Sequence, residues 1–319
     1  MAQHFLLSAA ARTLSLAKVM RMSEDAAWEA FVSIRWSDNG GEPYCGKCGC
    51  AEIYRFEARR LFKCKACRTQ FTVTSGTIFA SRKLPIRDIL AAIAIFTNGA
   101  KGYSALQLSR DLDVQYKTAF VMAHKLREAL SKTGDASKLD GEVEVDGAYF
   151  GGYVKPANEK ANRRDRRLSE NQSGKRQVVV AMRERDGRTL PFVTKSEAAG
   201  VALVAANVDA AATVHADEAT HWDALHGSHD TKRINHSEAY SLNGACTNMV
   251  ESYFSRLRRA EIGVHHHIAG PYLAAYANEM AWRETHRRVS NGEQFTAIVD
   301  AALSHPVSRQ WKGYWQRRA

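Results

Sequence analysis

No run in this 319-residue chain approaches the roughly 20 consecutive apolar residues of a membrane-spanning helix, so no membrane partner is expected. The start holds only a short apolar patch at Phe5-Leu6-Leu7. No basic segment precedes it, and Arg12 and Lys18 interrupt the next stretch, so a secretory signal is not expected either and the cytoplasm is the expected location. Internal repeats are absent. Cysteine is scarce outside one stretch: five of the six lie between 45 and 67. That excludes a disulfide framework spread over a secreted domain and points to a local metal site in a reducing compartment. Acidic residues are outnumbered, 34 against 45 Lys and Arg, leaving a net charge of +11. The deficit favours a polyanionic partner, nucleic acid first. Charge alone does not separate such a protein from an ordinary basic one, so motifs must.

The length allows two or three domains with real cores. Residues 5–35 read as two short helices broken near Met22-Ser23, where Ser23 followed by Glu24 and Asp25 is an N-cap with acids in the first turn. Strand-like runs appear at 60–64 and 70–74. Ile86, Ile89, Leu90, Ile93 and Phe96 recur at helical spacing over 85–98. A helix over 104–112, a short turn and a helix over 115–130 come next. From Glu142 the period changes to two, with strands expected at 142–150, 176–184, 189–194, 212–217 and 231–235. Helices are expected at 197–207, 218–226, 247–262 and 270–289. This alternation indicates a mixed α/β domain.

Cys45-x2-Cys48 and Cys64-x2-Cys67 are separated by fifteen residues, the four-thiolate spacing of a zinc ribbon. Lys47, Lys63, Lys65 and Arg68 crowd the pairs, which suits a metal knuckle better than an apolar core. Cys50 is a spare that competes with Cys48 on position but not on paired spacing. Cys246 reads as an ordinary buried thiol. The ribbon is either a DNA contact or a structural module folded by its zinc. In the helical pair, Leu106, Leu112, Val114, Ala119, Ala123 and Leu126 are the expected shared core. Gln115, Tyr116, Lys117 and Thr118 then open the second helix, where a helix-turn-helix faces the major groove. A plain helical hairpin is the alternative. Residues 155–176 carry eight Lys or Arg against three acids. Arg163, Arg164, Arg166 and Arg167 are expected to meet DNA phosphates from an arm between two strands. Lys312, Arg317 and Arg318 at the C-terminus extend the same basic footprint.

Three acids carry the chemistry. Asp146 ends the alternating run Gly-Glu-Val-Glu-Val-Asp, Asp217 ends Thr-Val-His-Ala-Asp, and Glu251 lies on a helix whose packing face is Val250, Phe254 and Leu257. Each alone reads as a turn, cap or solvated residue. Together, in a basic chain, they suggest a magnesium site for phosphodiester chemistry, because hard divalent cations take oxygen ligands. Arg258, two turns beyond Glu251, is placed to meet a phosphate. Glu144 shares strand parity with Asp146 and, with Glu279, is a lesser candidate. His215 reads as a core histidine. His265, His266 and His267 are adjacent, so their side chains splay, and packing or a DNA-contacting loop fits them better than one ion.

The chain resembles prokaryotic insertion-sequence transposases of the ISXO2 type. These join an N-terminal zinc ribbon to an RNase H-like Asp-Asp-Glu domain. The resemblance rests on the two Cys-x2-Cys pairs, Gln70-Phe71-Thr72 leading to Ser75-Gly76-Thr77-Ile78-Phe79, and Val143-Glu-Val-Asp146 with Tyr149-x-Gly-Gly. It continues in Asp217, Asn248-x2-Glu251-x2-Phe254-Ser255-x2-Arg258-Arg259, Gly263-x-His265-His266 and Tyr276-x2-Glu279-x2-Trp282-Arg283. Thirty-three residues separate Asp217 from Glu251. The resemblance implies an α/β, RNase H-like mixed-sheet catalytic domain preceded by a zinc ribbon and a helix-turn-helix. The expected segments are 1–40 helical, 41–80 ribbon, 81–135 helix-turn-helix, 140–295 catalytic and 296–319 a helical basic tail. It implies two Mg²⁺ or Mn²⁺ ions held by Asp146, Asp217 and Glu251, with Asn248 as the alternative third member. Gly147 stands where many relatives carry a second acid. The implied activity is cleavage at terminal inverted repeats and strand transfer into target DNA, by a homo-oligomer on duplex DNA at the nucleoid. Two other functions fit the same motifs: a non-catalytic DNA-binding regulator, and an RNase H-like nuclease that cuts without joining.

Overall fold

The computed structural model describes residues 5–134, 136–151, 157–165, 171, 174–235, 239, 241–242 and 244–317. By contacts the chain divides into two compact units, Met1–Gly134 with Arg288–Ala319, and Asp135–Arg287.

In the first unit the helical stretch at the start resolves into a 3₁₀ turn at Phe5–Leu7, α1 (Leu16–Met20) and α2 (Glu24–Arg35). Ser15 and Ser23 cap the two helices through their hydroxyls, accepting from Lys18 and Ala26 N–H. An antiparallel sheet comes next: β1 (Ile53–Phe56), which the sequence did not announce, β2 (Leu61–Cys64) and β3 (Gln70–Phe71). This small sheet has little core of its own. Phe62 packs on Trp28 at 5.4 Å, on Trp36 at 5.6 Å and on Phe71 at 5.4 Å, which fastens it to α2. The Arg35 guanidinium adds bonds to the carbonyls of Thr72 (3.1 Å), Val73 and Ser75 (2.7 Å). Burial lowers its pKa to about 10.

Helix α3 (Ile86–Asn98) is the centre of this unit, with Ile86, Ile89, Leu90, Ile93 and Phe96 all buried. Its N-terminus starts after Pro85, which offers no side-chain cap. Glu24 of α2 supplies one, accepting from Ile86 N–H at 2.8 Å and Arg87 N–H at 3.0 Å. Helices α4 (Ala105–Asp111) and α5 (Tyr116–Leu130) are joined by a short turn in which Asp113 has φ 49°. Ala119, Ala123 and Leu126 are buried as expected. Leu106 is not: it is 51% exposed, and Leu108 takes the inward position at 1%. Ser104 caps α4 and sets its phase, and two residues along a helix differ by about 200° in direction. The C-terminal helix, Asn291–Ser304, opens with a Ser290/Glu293 capping box and returns to the beginning of the chain. There Asn291 Oδ1 accepts from Thr13 and Leu14 N–H, both at 2.8 Å. The sequence-based boundary at 295/296 falls inside this helix.

The second unit is a mixed α/β fold on a five-stranded sheet. Its strands are β4 (Glu142–Phe150), β5 (Gln177–Glu184), β6 (Thr189–Thr194), β7 (Thr213–Asp217) and β8 (Asp230–Ile234), in spatial order β6-β5-β4-β7-β8. β5 is antiparallel to β4 and β6, whereas β7 and β8 run parallel to β4. The period of two places Val143, Val145, Val178, Val180 and Met182 on one face. They pack there with Val204 of α6 (Gly200–Asn207) and with Trp222 and Leu225 of a 3₁₀ segment, Thr220–Gly227. A helix was expected over 218–226; the chain forms the tighter 3₁₀ coil instead. The other face packs Ala148, Phe150, Val179 and Ala181 against α7 (Asn248–Ala260) and α8 (Leu273–Thr285). Both faces are covered, as parallel strands require.

Candidate active site

The central strand β4 carries Asp146, and β7 beside it ends at Asp217. Their pairing runs from Glu142↔Thr213 to Val145↔Ala216, so the next residue on each strand is an aspartate. Parallel register thus sets two carboxylates abreast that are 71 positions apart in the chain. A third carboxylate joins them that sequence reading missed. Glu197 begins the 3₁₀ turn Glu197–Ala199 after β6, and carboxylate oxygens of Asp146, Glu197 and Asp217 lie within 4.8 Å of one another. Gly147 is what admits it: a Cβ there would sit 2.5 Å from the Glu197 carboxyl carbon. The position where relatives were expected to carry a second acid is therefore vacant, and an acid from another element fills the space beside it. Glycine between two β-rich runs was the available signal, since glycine in a strand marks close approach of another group.

Three negative groups so close repel one another. Burial raises Asp146 from its ordinary value to about 7, with the charges of Asp217, Glu197 and Glu251 adding to the rise and the Gly147 N–H opposing it. Burial, then the charge of Asp217, also raises Glu197. Asp146 Oδ1 accepts from Gly147 N–H at 2.7 Å and Asp217 Oδ1 from Ala219 N–H at 3.1 Å. His221 Nε2 lies 3.8 Å from Glu197 Oε1. Oxygen donors held together with a charge deficit suit a hard divalent cation. Glu251 stands outside the 4.8 Å set, though Asp146 feels its charge; its Oε1 accepts from Thr247 Oγ1 at 3.2 Å.

The helix bearing Glu251 is tied to the strand bearing Asp146 by Glu144. This carboxylate is fully buried on β4 and accepts from Met249 N–H at 2.7 Å and Val250 N–H at 3.1 Å, at the opening turn of α7. Arg185 Nε donates to it at 3.1 Å. Cys246, expected as an ordinary thiol, is half-buried with its Sγ 3.4 Å from Glu144 and 2.9 Å from Arg185 Nη2. Glu144, read as a lesser candidate ligand, is thus a helix cap. His215 is buried, 3.3 Å from Arg185 Nη2, and burial lowers its pKa. Glu279 pairs with Arg283 at 2.9 Å, both buried. Asn248 is exposed at the first position of α7. Arg258 is exposed too, with its guanidinium 6.0 Å from the Phe150 ring. His265 packs edge-on against Tyr276.

In the first unit the sulfurs of Cys45, Cys48, Cys64 and Cys67 lie within 4.8 Å of one another, with Cys45–Cys67 and Cys48–Cys64 both at 3.6 Å. Tetrahedral zinc with Zn–S bonds of about 2.3 Å separates sulfurs by about 3.8 Å, so the four fit such an ion. Cys67 N–H points at Cys64 Sγ (3.4 Å), as in a metal knuckle. Cys50 lies outside the set, with its Sγ 3.7 Å from the Glu52 carbonyl. Gln115, Tyr116, Lys117 and Thr118 are all exposed at the start of α5. Arg163 and Arg164 are exposed, whereas Arg166, Arg167, Gly152 and Arg318 lie outside the described residues. Among the described residues no helix is long and apolar enough to cross a membrane.

Comparison with known proteins agrees with this geometry. Residues 138–285 match the ISXO2-like transposase domain, and residues 22–70 match the transposase zinc-ribbon domain. A protein of Halobacterium salinarum described as an uncharacterized protein in transposable element ISH50 is 27% identical over 297 residues. The match covers 88% of this chain and 98% of that protein. No solved structure matches. The chain belongs to the insertion-sequence transposases that combine a transposase zinc ribbon with an ISXO2-like transposase domain.

Proposed function

We propose that the protein is an active DDE transposase that cleaves DNA at the terminal inverted repeats of its element and joins the freed 3′ hydroxyl to target DNA. The observation that carries this reading is the convergence of Asp146, Glu197 and Asp217 in the domain that matches the transposase family. The strand order β6-β5-β4-β7-β8, with the second strand antiparallel, supports an RNase H-like sheet. Asp146, Asp217 and Glu197 would hold the divalent ions, and Glu251, or Asn248 in its place, would complete the set from α7. Bound Mg²⁺ or Mn²⁺, two ions in this reading, would activate the attacking oxygen and stabilise the leaving one. The chain's own residues prepare for that. The two strand aspartates set the spacing, Gly147 admits Glu197, and Glu144 fixes where α7 begins. Arg258 meets a substrate phosphate from the exposed side of the same helix. The four cysteines hold a structural zinc. Gln115 to Thr118 read the major groove, and Arg163, Arg164, Arg166 and Arg167 bind backbone phosphates. The protein works as a homo-oligomer on paired ends at the nucleoid.

The test uses purified protein, DNA carrying the element's ends, and Mg²⁺ or Mn²⁺. Asp217→Ala is expected to lower both cutting and joining by at least about a hundredfold, since metal stabilisation supplies several kcal/mol of the barrier reduction. Products cut and joined as well as by the parent protein would overturn the assignment. Cutting without joined ends would make the protein a nuclease instead.

A further inference from the structure

The first unit contains a cleft of about 630 Å³ that sequence motifs do not describe. Three stretches far apart in the chain wall it: the loop before α3, the first half of α5, and the segment Trp311–Gln316. Five cations line it, Arg82, Lys83, Lys117, Lys125 and Lys312, and no Asp or Glu does. Among the described residues none of the five forms a salt bridge. Lys125 is half-buried on α5, and burial lowers its pKa. A desolvated ammonium is normally paired, because burial without a counter-charge costs free energy. Here Lys125 feels the charge of Glu128 and Arg82 that of Glu24, but neither acid lines the cleft, so positive charge predominates in its concave wall.

The wall is built rather than loose. Trp311 stacks on His124 of α5 at 4.4 Å, and Phe120 contacts Trp311, Tyr314 and Trp315 at 6.0, 6.2 and 5.9 Å. Trp315 Nε1 donates to the Lys117 carbonyl at 3.3 Å, and Lys117 Nζ lies 5.3 Å from the Trp315 ring. Lys312 is carried on this anchored segment. α5 itself starts without a side-chain cap at Gln115, leaving first-turn N–H groups and the positive end of a fifteen-residue helix at the same edge.

We propose that this cleft binds the phosphodiester backbone of duplex DNA beside the base pairs that α5 reads. The C-terminal segment is then part of the DNA-binding surface, held there by its tryptophans. The inference rests on the DNA-transposing role proposed above, but on a different unit and a different property. Charge complementarity selects the polymer: a run of phosphates meets several cations at once, and the neighbouring exposed residues Gln115 to Thr118 suit a duplex groove.

The experiment measures binding of the full-length protein to a fluorescein-labelled mixed-sequence duplex by anisotropy, with no added Mg²⁺ or Mn²⁺, between about 50 and about 200 mM salt. Without metal no cleavage enters, so a protein that binds but never cuts still answers the question. For Lys83→Ala/Lys312→Ala, both sites being exposed, the slope of log K against log salt is expected to become shallower by about two. Zinc content and circular dichroism should match the parent. An unchanged slope would overturn the proposal. So would an equal change in Lys101→Ala/Lys132→Ala, which lowers net charge by the same amount away from the cleft. Competition by single-stranded DNA or RNA that matches the duplex for the parent and disappears in the cleft variant would assign the cleft to another polymer.

Discussion

Asp146 shows how a side chain's meaning changes with its neighbours. On its own strand it is an aspartate in an alternating run. Set beside Asp217 and Glu197 it becomes a group whose pKa stands near 7 because burial and adjacent charge both oppose ionisation. Such an acid binds more protons folded than unfolded between its ordinary value and about 7. Its contribution to stability is therefore greatest below about pH 4 and is lost as the pH rises to about 7. The metal-free protein should melt progressively lower over that window. Asp146→Asn at pH 8 with no added Mg²⁺ or Mn²⁺ should raise the melting temperature by at least about 3 °C, because one kcal/mol moves a unit of this size by about 2–4 °C. Scanning fluorimetry checks this, and a lower melting point for the variant would show that the carboxylate is not strained. The pair Asp146 and Asp217 was legible because each closes an apolar alternating run. Glu197 was not, because nothing in its surroundings in the chain distinguishes it from a solvated first-turn acid. Only the missing side chain at Gly147 brings it in.

Among elements, the joint between β4 and α7 matters most. Helix α7 starts after a non-helical stretch and has no side-chain cap from Thr247. Its opening N–H groups are satisfied by Glu144, from a strand more than a hundred residues earlier. Glu144→Ala leaves those two donors without their acceptor, while Arg185 keeps its ion pair with Glu142. It should cost about 2 kcal/mol in urea unfolding, as for buried donors left unsatisfied. A loss near zero would mean that solvent replaces the cap freely. The period-two and helical patterns located nearly every element of this unit, since burial on one or both faces writes itself into the order of apolar residues. They did not distinguish the 3₁₀ coil at Thr220–Gly227, where short helical spacing cannot separate one coil from another, nor, in the first unit, locate β1, whose four residues are mostly exposed.

For the whole molecule, the ribbon's stability is the simplest property to test. Three short strands close around four thiols, and beyond the Phe62–Phe71 contact the sheet's aromatic packing is on Trp28 and Trp36, in and just after α2. Chelation of zinc, or Cys64→Ser, should therefore unfold residues 45–71 and expose the Trp28 and Trp36 rings. A red shift in tryptophan fluorescence and loss of protein-bound zinc would report it. Retained emission after complete zinc removal would show that packing on α2 is sufficient.

The four-cysteine cluster, the strand order's raw material and the two aspartates were written in the order of residues, because each depends on spacing over a few positions. A Cys-x2-Cys turn brings its sulfurs together wherever it is placed, and alternation points side chains to one face whatever the neighbours are. The third acid of the cluster, the cap on α7 and the basic cleft had no such local signature. They exist because segments from about 20 to about 230 residues apart come into register or contact. Coulomb repulsion, helix capping and charge complementarity act over distances in space, not along the chain.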